Sequence, residues 1–278
     1  MHRLAIGTAQ WGLDYGATNA VGRMSDSALR DLIQTLSVAG IHELDTAPGY
    51  GDSEQRIGAL QLAQFEVQTK VTGKGKTSKE VLDSINQSAS RLNQTHLDSV
   101  LVHDWFELSD PERLQVSNAL TLAVDSGLAR KAGISAYTLE DIKSAQLIIP
   151  NLKRVQIPLN ILDQRFIHSG ADFPDIEFQA RSIFLQGLLV SHDHINQHPD
   201  LKAVASRAAD IEVSLLDLAM LFIHQLNWLD SILVAPTSSQ ELHQILDALN
   251  RVNSIPETDF DALASKDISL IDPRTWNQ

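Results

Sequence analysis

A chain of 278 residues with 43% hydrophobic content is long enough to bury a substantial core. Its formal net charge of −13 argues against an electrostatic grip on nucleic acid or an anionic membrane surface, although a local basic pocket remains compatible with it. Cysteine is absent, which excludes disulfides and thiolate metal sites, and no apolar run approaches the ~20 residues of a membrane span.

Short apolar runs alternate with helical periodicity along the whole chain. The first strand is read at Leu4–Thr8, so close to Met1 that no signal peptide fits before it, and the expected location is the cytoplasm. Further strands are read at His42–Asp45, Glu66–Val71, Ser99–His103, Lys131–Ser135, Arg154–Pro158, Ser182–Gln186 and Ser231–Ala235. Helical spacing between them is carried by Leu29, Leu32, Ile33 and Leu36; by Val81, Leu82, Ile85 and Ala89; by Leu215, Leu218, Phe222 and Leu226; and by Leu242, Ile245, Leu246 and Leu249. Thr77 with Glu80, and Ser238 with Glu241, fit the capping box; Asp110-Pro111 opens a helix with proline at its first position, and Gly127 stops one. An extra helical piece is expected near Pro199–Ala209, between the seventh and eighth strands.

Eight strands alternating with helices predict an α/β protein, a (β/α)8 TIM barrel forming one domain over residues 1–278. An open doubly wound sheet is the competitor. No G-x-G-x-x-G or G-x-x-x-x-G-K-[ST] loop follows any strand, which weakens it. The polar tail from Arg251, with Trp276 near its end, is expected to wrap the outside or fold over one barrel face.

In a barrel the C-terminal strand ends form the active face. Here they carry Thr8, Asp45, Lys70, His103, Ser135, Gln156 and Gln186, with Tyr50 just past Asp45 beyond a Pro48-Gly49 turn. Each residue alone has a plain reading: a solvated lysine, a capping aspartate, a structural histidine, a packed tyrosine. Four of them converging on one face points to chemistry instead. A phenol with a pKa of about 10 is a poor acid near neutrality. A neighbouring ammonium stabilises phenolate, a carboxylate holds that ammonium in place, and a histidine hydrogen-bonds a substrate oxygen. Such a group moves a proton to or from an oxygen on a carbonyl carbon. No side chain supplies the electron pair, so a hydride-carrying cofactor is required.

Asp45-Thr46-Ala47-Pro48-Gly49-Tyr50-Gly51-Asp52-Ser53-Glu54, Gln68-Thr69-Lys70 and Leu101-Val102-His103 together resemble the signatures of the aldo-keto reductase family, in order, spacing and strand context, and the likeness runs from Leu4 to Leu246. The resemblance implies hydride transfer between NADP(H) or NAD(H) and a carbonyl or alcohol, without metal. Tyr50 would be the general acid/base, Lys70 would lower its pKa, Asp45 would pair with Lys70, and His103 would orient the carbonyl. Gly7, Thr8 and Asp45 would lie near the nicotinamide ribose, Ser135 and Gln156 at the carboxamide, and Ser182, Gln186 and Gly187 near the pyrophosphate. Thr237, Ser238 and the helix opening at Ser239 would face the adenosine end.

Three departures from the family pattern carry weight. Ser135 is followed by Ala136 where Asn is common. Arg181 occupies a position where many members stack a tyrosine on the nicotinamide; its guanidinium can stack likewise, or bind a phosphate or an acidic substrate. The segment Ala235–Glu241 has no basic residue for a 2′-phosphate, and Glu241 would repel one unless it serves as the partner of Ser238. Weak discrimination between the two cofactors, tilted to NADH, is expected.

Trp11, Tyr15, Trp105, Phe106, Tyr137 and Phe166 follow strand ends and are candidates for the substrate wall, although core packing explains some of them equally well. Aromatic walls beside Asp14 and Asp104 suit a sugar or sugar-like aldehyde. His192-Asp193-His194 with His198 has a metal-like composition but no rigid element beneath it, so no metal is expected. Partners are then a small carbonyl or sugar substrate, with no nucleic acid and no membrane, and the chain is a monomer or small homo-oligomer. Two other classes stay open: a cofactor-sensing regulatory protein that binds nicotinamide and turns over slowly, and an unrelated phosphate-binding barrel such as an isomerase.

Overall fold

A computed structural model describes residues 3–62 and 64–276. In chain order the elements are β1 (Arg3–Gly7), α1 (Ala9–Gly12), α2 (Asp26–Val38), β2 (Glu43–Asp45), α3 (Ser53–Ala59), β3 (Glu66–Val71), α4 (Ser78–Arg91), β4 (Leu97–Val102), α5 (Asp110–Asp125), β5 (Ala129–Ser135), α6 (Leu139–Ile148), β6 (Leu152–Pro158), α7 (Ser169–Asp172), β7 (Glu177–Arg181), α8 (Pro199–Asp210), α9 (Leu215–His224), β8 (Ser231–Val234), α10 (Ser239–Arg251) and α11 (Ile268–Ile271). Each strand runs parallel to the next, and β1 pairs with β8 through Leu4 beside Ile232, which closes the barrel.

The helices lie where the apolar periodicity requires. α2 buries Leu29, Leu32, Ile33 and Leu36; α4 buries Val81, Ile85 and Ala89; α10 buries Leu242, Ile245 and Leu249. α9 ends at His224, so Leu226 lies beyond the helix expected to include it. Thr77 and Glu80 form the reciprocal capping box, whereas Ser238 and Glu241 form only half of one. The Ser238 hydroxyl accepts the Glu241 N–H (3.1 Å), but the Glu241 carboxylate returns to the Thr237 N–H (2.7 Å) and hydroxyl (3.0 Å). α5 is capped by Ser109 with Glu112, leaving Pro111 inside its first turn.

The seventh strand is Glu177–Arg181, five residues earlier than Ser182–Gln186. Ser182, Leu185 and Gln186 hold φ of +57°, +49° and +52°, a left-handed backbone that cannot join an extended ladder. Within β7, Phe178 packs edge-on against Trp228 at 5.3 Å, while Gln179 turns into the lumen and bonds Gln68 (2.9 Å), Gln156 (2.6 Å) and Ser231 (3.1 Å). A parallel strand usually reads as a continuous apolar run. A polar lumen interrupts that run in β7, and the more apolar Ile183-Phe184-Leu185 imitates a strand.

The barrel interior is therefore amide and charge rather than hydrocarbon. At its N-terminal end the Arg154 guanidinium donates to Glu43 (2.7 Å), Asp98 (2.9 Å) and Glu177 (3.0 Å). At the other end the tail folds across the mouth, and the Arg274 guanidinium lies 3.5 Å from the Tyr137 ring centroid and 4.6 Å from that of Phe106.

Candidate active site

The mouth is organised by the turn between β2 and α3. Tyr50 N–H donates to Ala47 C=O (3.0 Å) and Ser53 N–H to Tyr50 C=O (3.1 Å), which fixes the tyrosine backbone. Beneath it the Ser53 hydroxyl donates to Thr8 (2.8 Å), whose hydroxyl donates to Asp45 C=O (3.0 Å). Two glycines let α1 close on this turn. A Cβ on Gly12 would run into the Tyr50 carbonyl oxygen, and one on Gly51, at φ +59°, would run into the Gly12 carbonyl oxygen. Arg56 then ties the turn to the chain around it by donating to the Trp11 and Met24 carbonyls.

Four side chains from three successive strand ends and this turn meet at the mouth. The Lys70 ammonium, 1% exposed, donates to both Asp45 oxygens (2.7 and 2.6 Å), to Thr46 C=O (3.2 Å) and to the Tyr50 hydroxyl (3.4 Å). Four acceptors compete for three N–H groups, and Tyr50 holds the longest contact. Asp45 is restrained in turn by the amides of Gln68 (2.5 Å) and Gln156 (3.1 Å). His103 follows β4 directly, its N–H donating to Val71 C=O (2.8 Å), and its half-buried ring shares this environment.

The electrostatics follow from burial and neighbours. Burial raises the Tyr50 phenol above its ordinary value; Lys70 pulls it down, and Asp45 works against Lys70. Lys70 pulls in the expected direction, but burial is the larger effect and the net direction is upward. Burial opposes the charge on Lys70, yet Asp45 and Tyr50 raise it overall, so the ammonium is retained. Burial, Lys70 and Arg181 lower His103 to about 4, which makes it a neutral hydrogen-bonding imidazole at pH 7. The arrangement can hold a proton on a phenol, stabilise the phenolate left behind, and hydrogen-bond a substrate oxygen without adding charge.

The remaining sequence candidates divide between the mouth and its supports. Gly7 and Ser135 close β1 and β5, and Arg181 closes β7. Ser182 C=O accepts from Asn160 (3.0 Å). Gln186, no strand end here, latches this loop to the β1 side: its carboxamide oxygen accepts from Ala17 N–H (3.0 Å), its amide donates to the Tyr15 hydroxyl (3.3 Å), and its C=O accepts from Thr18 (3.1 Å). Gly187 sits against the Thr18 hydroxyl, which leaves no space for a side chain. Tyr15 and Tyr137 stand at the surface of the mouth, whereas Trp11 and Trp105 are 0% exposed and line no open wall. Trp105 packs behind the mouth with its N–H on Ser144 (2.9 Å), and Phe166 is buried as well. Among the described residues no group of three or more His, Asp or Glu side chains is placed to hold a metal; His198 is instead bonded to Asp267 (3.2 Å).

Gln68, Gln179 and Arg274 did not emerge from the sequence as site residues. A signal existed for the first two: glutamines interrupt otherwise apolar strand runs at lumen-facing positions. Nothing in the sequence marks Arg274, which reaches the mouth only through the fold of the tail.

The sequence pattern that defines the Aldo/keto reductase family matches residues 3–268. Among characterised proteins, D-arabinose 1-dehydrogenase of Saccharomyces cerevisiae is 27% identical over 286 aligned positions, covering 88% of this chain and 82% of the yeast protein. Among solved structures, an aldo-keto reductase of Bacillus halodurans in its holo form superposes with a TM-score of 0.71 at 17% identity, covering 92% of this chain and 93% of that one. A thermostable aldo-keto reductase solved with the inhibitor epalrestat gives 0.69 at 19% identity, covering 91% and 94%.

Proposed function

Because the chain belongs to the aldo/keto reductase family, whose reaction is the nicotinamide-dependent reduction of a carbonyl, we propose that it interconverts a carbonyl and its alcohol at the barrel mouth with Tyr50 as the proton donor. One observation carries this reading: a buried ammonium held by both oxygens of Asp45 reaches the Tyr50 hydroxyl at 3.4 Å. In the reducing direction a bound reduced nicotinamide supplies the hydride. The Tyr50 O–H donates its proton to the carbonyl oxygen as negative charge develops there. Lys70 stabilises the phenolate left behind, and Asp45, fixed by Gln68 and Gln156, keeps Lys70 in line. His103, neutral at pH 7, steadies the carbonyl oxygen without competing for the proton.

The neutral hydroxyl and amide groups of Ser135 and Gln156 suit a nicotinamide carboxamide beside this pair, and the chain around Gly7, Thr8, Ser182, Gln186 and Gly187 would carry the ribose and pyrophosphate. At the adenosine end the Glu241 carboxylate sits on the Thr237 N–H and hydroxyl, at the N-terminus of α10. An acidic group in that place, with no basic residue from Ala235 to Glu241, supports NADH over NADPH. Tyr15, Phe106 and Tyr137 at the mouth, together with the activity named for the yeast relative, support a sugar or sugar-like aldehyde as substrate.

Absorbance at the nicotinamide band with a panel of aldehydes and sugars tests the proposal. Tyr50→Phe is expected to abolish turnover while the Kd for NADH stays within a few-fold. Retained turnover would count against the phenol as proton donor, and wild-type protein that binds cofactor tightly without measurable turnover would favour the regulatory reading. A hundredfold tighter Kd for NADPH would overturn the cofactor assignment.

A further inference from the structure

Most cations around the mouth are matched. Lys70 is held by Asp45 (2.6 Å), Arg165 by Asp163 (2.7 Å), Arg274 by Asp272 (2.5 Å) and Arg113 by Asp110 (3.3 Å). Arg181 differs. It closes β7 and is half-buried, and it has no acidic partner among the described residues. Among the described residues its guanidinium makes only long hydrogen-bond contacts of 3.5 Å, to the Ser182 hydroxyl and to Ala136 C=O. A guanidinium offers five N–H donors in one plane, so most of its capacity is unspent. One broad face lies against Tyr137, with the guanidinium carbon 4.3 Å from the ring centroid. That ring is itself held by Arg274 at 3.5 Å. Stacking fixes the plane of the guanidinium and directs recognition to its N–H edge.

A partly desolvated, unmatched positive charge is costly to keep. A neutral ligand leaves that cost in place, whereas a carboxylate or phosphate removes it through paired, charge-assisted hydrogen bonds. The charge also belongs to the reacting centre: it acts on the Tyr50 hydroxyl and on the His103 ring. On a chain of net charge −13 it stands as a local basic spot beside the proton donor.

We propose that Arg181, preset by the Tyr137–Arg274 stack, is an oxyanion receptor, and that the substrate carries a carboxylate or phosphate within reach of its carbonyl, as a sugar acid, a sugar phosphate or an aldehyde acid does. This rests on the oxidoreductase reading above and narrows its substrate class. Arg181 is then a specificity-determining residue: it selects the acidic member of a substrate pair.

Matched pairs test it: glucuronate and glucose 6-phosphate against glucose, and 4-oxobutanoate against butanal, assayed with wild type, Arg181→Met and Arg181→Lys. The wild type is expected to favour at least one acid over its neutral counterpart by roughly 10- to 100-fold in kcat/KM, the size of one or two charge-assisted bonds. Arg181→Met should erase that ratio, mainly through KM, and Arg181→Lys should keep part of it. Equal or better use of every neutral compound by the wild type would overturn the proposal. So would an Arg181→Met variant that keeps the acid-to-neutral ratio and weakens only the Kd for NADH, which would assign the anion to the cofactor. Calorimetric titration of succinate and of inorganic phosphate reads the receptor without turnover. Saturable binding lost in Arg181→Met supports it even if no compound is turned over, a result that would sink the oxidoreductase reading instead, and no binding of either anion, with no acid preferred, overturns it.

Discussion

The two ends of this barrel hold similar parts to different effect. At the floor, one buried guanidinium faces three carboxylates: Arg154 donates to Glu43, Asp98 and Glu177, and Lys131 adds a second cation on Glu177 at 2.8 Å. At the mouth, one buried ammonium faces a single carboxylate and spends its longest contact on a phenol. Both cations are pushed up by their acidic neighbours against the burial that opposes them. The difference lies in saturation. Around Arg154 acid is in excess: the cation is fully matched, while Glu43 Oε2 is left without a hydrogen bond among the described residues, so no positive potential remains and the cluster holds strands together. Around Lys70 and Arg181 acid is short, and the remaining positive potential falls on groups that can exchange a proton or meet a ligand. The amides of Gln68, Gln156 and Gln179 join the two ends, Gln68 accepting from Arg154 (3.3 Å) while donating to Asp45.

The sharpest way to break this contrast is at the mouth. Lys70→Met is expected to lower kcat by about 10³-fold or more, the scale of losing a proton-handling group and its charge. It should also lower Tm, because Asp45 is then buried without its partner. Lys70→Arg keeps that charge matched; recovery of Tm without recovery of kcat would separate geometry from electrostatics, and full activity in Lys70→Met would remove the ammonium from the mechanism.

At the floor the expected loss is of stability. Arg154→Met takes the close cation from the buried Glu43 and Asp98, leaving them cations only at longer range, among them Arg3 (4.0 Å) and Lys131 (3.8 Å), and unfolding by urea should show a loss of about 3 kcal/mol. The folded fraction should lose less than tenfold in kcat at pH 7. A fall in kcat as large as that of Lys70→Met, with stability unchanged, would reverse the roles assigned to the two ends.

The smallest expected effect is a pH dependence at the mouth. His103 is lowered to about 4 from an ordinary 6.5, so between these values the unfolded chain binds the proton and the folded one does not. Stability linked to His103 is therefore complete above about pH 6.5 and lost as pH falls toward 4, on the order of 2 kcal/mol. Comparing urea midpoints of wild type and His103→Phe from pH 7.5 to 4.5 checks this; parallel curves would show that His103 does not titrate as assigned. Tyr50, held above its usual range, keeps its proton throughout, so the reducing reaction should show no alkaline loss below about pH 9.

The part of this protein written in local order was legible before any fold was known. Helical and strand periodicity gave the alternation that closes as a barrel, because each element must bury one face. Asp45, Tyr50, Lys70 and His103 were legible because a barrel places consecutive strand ends side by side, so neighbours in order become neighbours in space. Tertiary structure decided the rest, for reasons of balance rather than pattern. It decided the true span of β7, because lumen-facing Gln179 broke the apolar run. It set the direction of the Tyr50 shift, because burial outweighs an attraction that sequence can propose but not weigh. It also decided which cations are spent: once the tail has folded across the mouth, Arg274 is held by Asp272, while Arg181 has no acidic partner among the described residues. Which residues are present is a local fact; which charges remain unanswered depends on every residue brought near them.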